Sequence, residues 1–275
     1  MTHERSIPRW LLAVAPCLWV GWRSLMRQYT PANAELALLQ GYHLVRGAKR
    51  VLAVTAHPDD LEATTGGTLR LMALAGSRID VVVLSDGRQQ DNGRSNLDEI
   101  RQVEQLHAGN ILGYCNVHYL GFRDLSLSRM DELQPELLGL WRSVRPEVVF
   151  TFDPSFPEPY LAHPDHLAAG RVVLNIVRGW DDPEPTVYFY GTADTSVIVD
   201  ISSVIWDKVD AVVAHRGQLQ TWPALYSLLI RLYGRLRGRP VQRAHAEGFR
   251  VLTMPRLSSQ VQRGKWTPPT GGAGV

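Results

Sequence analysis

Along the 275-residue chain, short apolar runs alternate with stretches of helical period. The runs at 51–56, 79–84, 117–120, 147–152, 186–190 and 197–200 predict strands, and the one at 79–84 is near-continuous enough to be buried. Between them, 34–44, 64–75, 96–112, 130–144, 167–178 and 202–216 predict helices; in 96–112, Leu97, Ile100, Val103 and Leu106 recur at helical spacing. Strand and helix in alternation predict an α/β fold: a Rossmann-like, mostly parallel sheet with helices on both faces, plus an N-terminal extension.

Three parts follow: an extension over 1–48, a catalytic domain over 49–257, and a tail over 258–275, rich in Pro and Gly and expected to be disordered. The extension carries an apolar run at 10–22 with Trp10, Trp19 and Trp22, closed by Arg23 and Arg27. It is short of the roughly 20 residues of a spanning helix, and Pro16 interrupts it. Two readings stay open: an interfacial or signal-anchor segment, and an extra helix packed on the body. No small-residue cleavage site follows the run, so a secreted form is not expected. The expected location is the cytoplasm or the cytoplasmic side of a membrane. At 225–239, Leu225, Leu228, Leu229, Leu232 and Leu236 share a helical face with Arg231, Arg235, Arg237 and Arg239 as companions. That segment either lies on an anionic membrane or packs its leucines on the core.

Charge sharpens this division. The net charge of +2 hides an acidic middle, with 24 acids against 12 bases over 51–215, between basic ends. Basic ends favour an anionic surface. No nucleic-acid motif accompanies them, so no nucleic-acid partner is expected. Cys17 and Cys115 form no disulfide framework and no Cys-x-x-Cys pair, so a metal would have to be held by nitrogen and oxygen.

The chemistry gathers at two turns. The first strand ends in His57-Pro58-Asp59-Asp60-Leu61-Glu62, followed by Gly66-Gly67-Thr68. Asp59 and Glu62 fit a capping box, but that leaves His57 and Asp60 unexplained. The second turn, His163-Pro164-Asp165-His166, also follows a strand. Its plain reading is a helix start with Pro164 in the first turn and Asp165 at the positive helix end. Both turns belong on the carboxyl edge of the sheet, where open α/β folds bind ligands. His57, Asp60 and one histidine of the second turn make three N/O ligands, which leaves a position open for water. Asp59 is then a candidate base, and the spare histidine a candidate acid or oxyanion stabiliser.

These turns resemble the two signatures of the PIG-L/LmbE-like zinc de-N-acetylases, which act on N-acetylglucosamine-containing substrates. Supporting matches are Ser85-Asp86-Gly87, Asn92-Gly93, Glu99 to Glu104, Ala214 to Gln218 and Ala246 to Phe249. The departures are Leu61 ahead of Glu62, and Gly217 where serine is common. The resemblance implies one zinc per chain, replaceable by ferrous iron, on His57, Asp60 and His166. It implies Asp59 as general base, His163 as stabiliser of the oxyanion in its protonated form, and Asp165 orienting His163. Arg101 would contact substrate, where its plain reading is a surface arginine paired with Glu104 or Asp98; His215 would lie near the pocket. The implied reaction is hydrolysis of a linear amide: an N-acetylated amino-sugar conjugate gives acetate and a free amine. A metal-dependent phosphoesterase, a dinucleotide-binding module and a catalytically dead membrane-associated partner compete with it. The first wants more bridging ligands, the second a Gly-x-Gly-x-x-Gly turn, and the intact cluster argues against the third. The aglycone and the oligomeric state are not set by the sequence.

Overall fold

The computed structural model describes residues 31–87, 97–129, 131–180, 183–219 and 223–252. The apolar run 10–22, part of the 85–93 loop and the tail 258–275 lie outside these residues, and with them the readings placed there.

Helix α1 (Ala34–Gly47) leads into β1 (Arg50–Thr55), α2 (Asp60–Thr64), α3 (Gly66–Leu74), β2 (Arg78–Ser85), α4 (Leu97–Leu112) and β3 (Asn116–Phe122). Then follow α5 (Leu133–Val144), β4 (Val148–Phe152), α6 (Pro164–Arg178), β5 (Thr186–Tyr190) and β6 (Val197–Asp200). Helices α7 (Ile205–Val213), α8 (Arg216–Leu219) and α9 (Pro223–Gly238) precede the last strand, β7 (Ala246–Val251).

The seven strands form one sheet in the order β3-β2-β1-β4-β5-β7-β6. From β3 to β5 every pairing is parallel, and β7 runs antiparallel to both of its neighbours. The expected mostly parallel α/β sheet is therefore present. Beyond the expectation are β7 itself and a break at Thr65 that divides the anticipated 64–75 helix. Strand order reverses between β1 and β4, because the chain builds outward through β2 and β3 and then crosses to the other side. A crevice opens at the carboxyl ends of strands flanking such a reversal. Val51 to Val54 of β1 and Phe150 of β4 are fully buried, so both strands leave a rigid core as they enter that crevice.

Two close approaches fix the helices that lead from it. A Cβ on Gly170 would lie 2.4 Å from the Phe152 carbonyl oxygen, so only glycine lets α6 sit this low on β4. At the start of α3, the amides of Gly67 and Thr68 donate to the two oxygens of buried Glu247 on β7, at 2.9 and 2.8 Å. The Nζ of Lys208 lies 2.5 Å from the same carboxylate. A carboxylate at a helix N-terminus satisfies orphan amides and complements the helix dipole. A Cβ on Gly67 would meet the Ile201 side chain at 2.8 Å.

Helix α9 bears on one of the two readings of its segment, the packing of its leucines on the core. Leu225, Leu228, Leu229 and Leu232 are 44–49% exposed, so this apolar row does not pack on the core. The helix is held at its other end, where Arg237 is buried against Glu158 and Tyr233 donates to the same carboxylate at 2.8 Å. No helix among the described residues is long and apolar enough to cross a membrane.

Candidate active site

His57 lies two residues beyond β1, and His163 caps α6 after the loop that leaves β4. That loop is fastened at both ends. Asp153 accepts from the amides of Ser155 and Phe156 and from Arg250, and the Glu158 amide donates to the Gly191 carbonyl. The two turns therefore converge from neighbouring strands. The rings of His57, His163 and His166 are mutually 5.2 Å apart, and one nitrogen of each lies within 4.8 Å of the others.

Each imidazole has one nitrogen committed away from this centre. His166 Nδ1 is 3.0 Å from the Leu161 carbonyl oxygen, which can only accept, so Nδ1 carries the proton and Nε2 faces inward. Phe152 stacks on the His166 ring at 3.8 Å and 6°, holding its plane. His57 Nε2 meets Asp124 Oδ1 at 3.0 Å, which turns Nδ1 inward. His57 Nδ1 and His166 Nε2 are then 3.3 Å apart, and each is 3.4 Å from an oxygen of Asp60. Asp60 is itself aligned, since its Oδ2 accepts from the His57 amide at 2.8 Å and from Thr55 Oγ1 at 2.9 Å.

This donor set fits a small cation. Tetrahedral zinc with bonds of about 2.0–2.1 Å places neighbouring ligand atoms roughly 3.3–3.4 Å apart. The charges point the same way. Burial alone would lower the His57 pKa, yet hydrogen bonds to Asp124, Asp165 and Asp60 raise it well above the usual histidine value. Burial would raise Asp60, but His166 and His57 hold it well below the carboxylate range.

Asp59 stands beside this centre with its side chain 23% exposed. Burial and the Asp60 charge raise its pKa to about 6. Its backbone is left-handed, at φ 90°, a conformation that costs a non-glycine residue roughly 1–2 kcal/mol. The capping box does not form: Asp59 makes no side-chain cap, and Glu62 is fully buried elsewhere.

The remaining predicted residues are placed as follows. The Asp165 carboxylate does not reach His163. It accepts from the Leu125 and Leu127 amides at 2.7 and 3.2 Å, with His57 Nε2 at 3.7 Å. The tie to His163 is made by the Asp165 backbone amide, which donates to His163 Nδ1 at 3.3 Å. That bond leaves the proton on Nε2. Burial, then the neighbouring His57 and His166 charges, lower the His163 pKa. Arg101 is 3% exposed and donates to the Gly87 and Pro58 carbonyls. It is therefore not a surface arginine. His215 is 1% exposed with Nε2 3.4 Å from Glu62, which raises its pKa against the effect of burial.

Two residues were not anticipated. Asp124 orients His57, and Gln105 accepts from the Asp59 amide at 3.1 Å. Only the position of Asp124 just beyond β3, on the same sheet edge, could have flagged it. A cavity of about 270 Å³ opens alongside, lined by Pro58, Ser85, Asp86, Gln102 and Tyr119 among others. A larger one of about 790 Å³ lies between α1 and the end of α3, with none of these groups in its wall.

The profile of the family described as GlcNAc-PI de-N-acetylase (PIG-L) matches residues 52–177. The diacetylchitobiose deacetylase of Thermococcus kodakarensis is 29% identical over 228 residues, 74% of this chain and 83% of that protein. Among solved structures, N,N'-diacetylchitobiose deacetylase from Pyrococcus horikoshii superposes with a TM-score of 0.70 at 25% identity, covering 79% of this chain and 90% of that one. GalB, a 4-carboxy-2-hydroxymuconate hydratase from Pseudomonas putida, also superposes, with a TM-score of 0.62, 25% identity and coverage of 76% and 98%. The fold alone therefore does not fix the reaction.

Proposed function

The chain belongs to the PIG-L/LmbE-like family, and from that premise we propose that it is a zinc-dependent hydrolase removing the N-acetyl group of an N-acetylglucosamine-containing conjugate. The convergence of His57 Nδ1, His166 Nε2 and the Asp60 carboxylate at 3.3–3.4 Å, with Asp59 beside them, carries this reading. His57, Asp60 and His166 would hold one zinc, and the same donors accept ferrous iron. When bound, the cation supplies Lewis acidity, polarising the amide carbonyl and acidifying water.

The protein does the rest. Asp59, as its carboxylate, takes the proton of the attacking water. The new C–O bond pushes charge onto the carbonyl oxygen, towards which His163 offers Nε2–H. As the C–N bond breaks, the proton held on Asp59 passes to the leaving nitrogen. Acetate and a free amine result. Acetate release from a panel of N-acetylglucosaminyl conjugates by zinc-loaded protein tests the reading. Release from at least one conjugate is expected. No release from any of them by fully loaded protein, or hydration of an unsaturated acid instead, would overturn it.

A second observation bears on where the enzyme works. The exposed leucine row of α9 has arginine companions, and α9 contains no acid. That composition fits an anionic membrane surface, on the cytoplasmic side. Sedimentation with phosphatidylglycerol vesicles, but not phosphatidylcholine vesicles, is expected, and loss of binding in Leu228→Asp/Leu229→Asp. Equal behaviour with both vesicles sinks the idea; a dimer dispersed by the same variant would assign the face to a second copy of the chain.

A further inference from the structure

We infer that Arg101 and Gln105 are positioning residues that pin the Pro58–Asp59 peptide and thereby aim Asp59. The inference rests on the reading of Asp59 as the base of the proposed hydrolysis.

The peptide that joins Pro58 to Asp59 has two polar atoms, and both are held from one helix. Its carbonyl oxygen accepts from Arg101 Nη2 at 3.0 Å. Its amide donates to Gln105 Oε1 at 3.1 Å. Arg101 and Gln105 are four residues apart on α4, so they project from one face, one above the other. A peptide plane held at both ends cannot rotate, and its rotation is what sets φ of the following residue. That residue is Asp59, in the left-handed region at φ 90°. Strain of this kind persists only where its surroundings over-determine it.

The grip continues inward. Gln105 Nε2 donates to Glu62 Oε1 at 2.7 Å, which fixes which end of the side-chain amide faces Asp59. Glu62 in turn accepts from Tyr114 at 3.1 Å and lies 3.4 Å from His215. Gln105, Glu62 and His215 are each at most 1% exposed. Burying a carboxylate, an imidazole and an amide together is a poor way to fill a core. Their contact with the mainchain of the turn is the amide of Asp59. Arg101 adds a second backbone bond, from Nη1 to the Gly87 carbonyl at 2.5 Å, and its Nη2 also lies 3.8 Å from the Asp59 carboxylate. Freed of these bonds, Asp59 would relax to a right-handed or extended conformation and its carboxylate would leave its position beside Asp60.

The test uses zinc-loaded full-length protein and three variants. Gln105→Met keeps the shape and removes the acceptor. It is expected to lower kcat by roughly 10–100-fold with KM and zinc stoichiometry unchanged, since small misplacement of a reacting group has that effect. The double variant Glu62→Gln/Gln105→Glu exchanges the two head groups and restores an acceptor to the Asp59 amide, so it should recover most of kcat. A purely space-filling Gln105 would tolerate methionine, and wild-type kcat in that variant overturns the inference. Should Gln105→Met fail to fold, the exchange variant decides: most of kcat retained upholds the inference, and a folded, zinc-loaded protein as slow as Asp59→Asn overturns it. Asp59→Asn separates the two readings. Wild-type rate there removes the base itself, whereas an inactive Asp59→Asn beside a fully active Gln105→Met removes only the positioning role.

Discussion

Asp124 Oδ1 sits 3.0 Å from His57 Nε2, and this contact determines which nitrogen of His57 faces His166 and Asp60. The same carboxylate is anchored by its own turn, since the Asp124 amide donates to Asp86 and the Leu125 amide is 2.8 Å from Asp124 Oδ1. Asp124→Ala is expected to weaken zinc binding by about 10–100-fold, as loss of outer partners of ligating histidines does. Chelator competition measures it, and unchanged affinity would remove Asp124 from the site.

Asp59→Asn should leave zinc stoichiometry intact and lower kcat by about 10²–10⁴-fold, the usual contribution of a positioned base. Steady-state kinetics alongside metal analysis check this. Loss of zinc in the variant would instead make Asp59 a ligand.

The pH dependence has a definite sign. Burial and Asp60 raise Asp59 to about 6 in the metal-free site. The base works ionised, so kcat/KM should rise with pH through an acid limb. A bound cation favours the anion and moves that limb below 6. The pH–rate profile of zinc-loaded protein is the measurement, and a limb above 6 would contradict the assignment.

The same shift acts on stability. A carboxyl whose folded pKa exceeds its unfolded 3.8 favours the folded state when protonated. That advantage is full below pH 3.8 and lost as pH rises through about 6. Metal-free Asp59→Asn should therefore be more stable than wild type at pH 7–8, by roughly 1–3 kcal/mol, and no more stable near pH 3.5. Urea melts at the two pH values compare them, and equal differences would show that Asp59 carries no strain of charge.

Glu247→Leu removes the acceptor for Gly67 and Thr68 and strands buried Lys208. A loss of about 3–5 kcal/mol is expected, as for other broken buried pairs. Gly67→Ala should cost roughly 1–3 kcal/mol through its clash with Ile201. Calorimetry tests both, and wild-type melting in either would show that the start of α3 adjusts freely.

Much of this was legible in the chain because strands and site share a signal. Continuous apolar runs ending in His57 and Asp60, or in a loop to His163, mark strand ends, and strand ends are where α/β folds place ligands. Side-chain direction was not legible. Asp59 and Glu62 have capping-box spacing, but a left-handed Asp59 sends Glu62 into the core. Arg101 has a plain reading as a surface arginine because nothing local reveals that two backbone carbonyls await it. Strand β7 escaped because Glu247 and Gly248 interrupt its apolar pattern. Glu247 belongs there through Lys208 and the start of α3, the latter 180 residues away.

The reversal of strand order has a consequence for assembly. His57 and His166 lie 109 residues apart in sequence, yet their ring nitrogens are 3.3 Å apart because β1 and β4 are neighbours in the sheet. The centre therefore does not exist until the crossing from β3 to β4 is complete and both halves have docked. A cation that binds only this state draws the folding equilibrium towards it. Metal occupancy is thus a report on the whole domain: a chain that holds zinc has already joined its two halves.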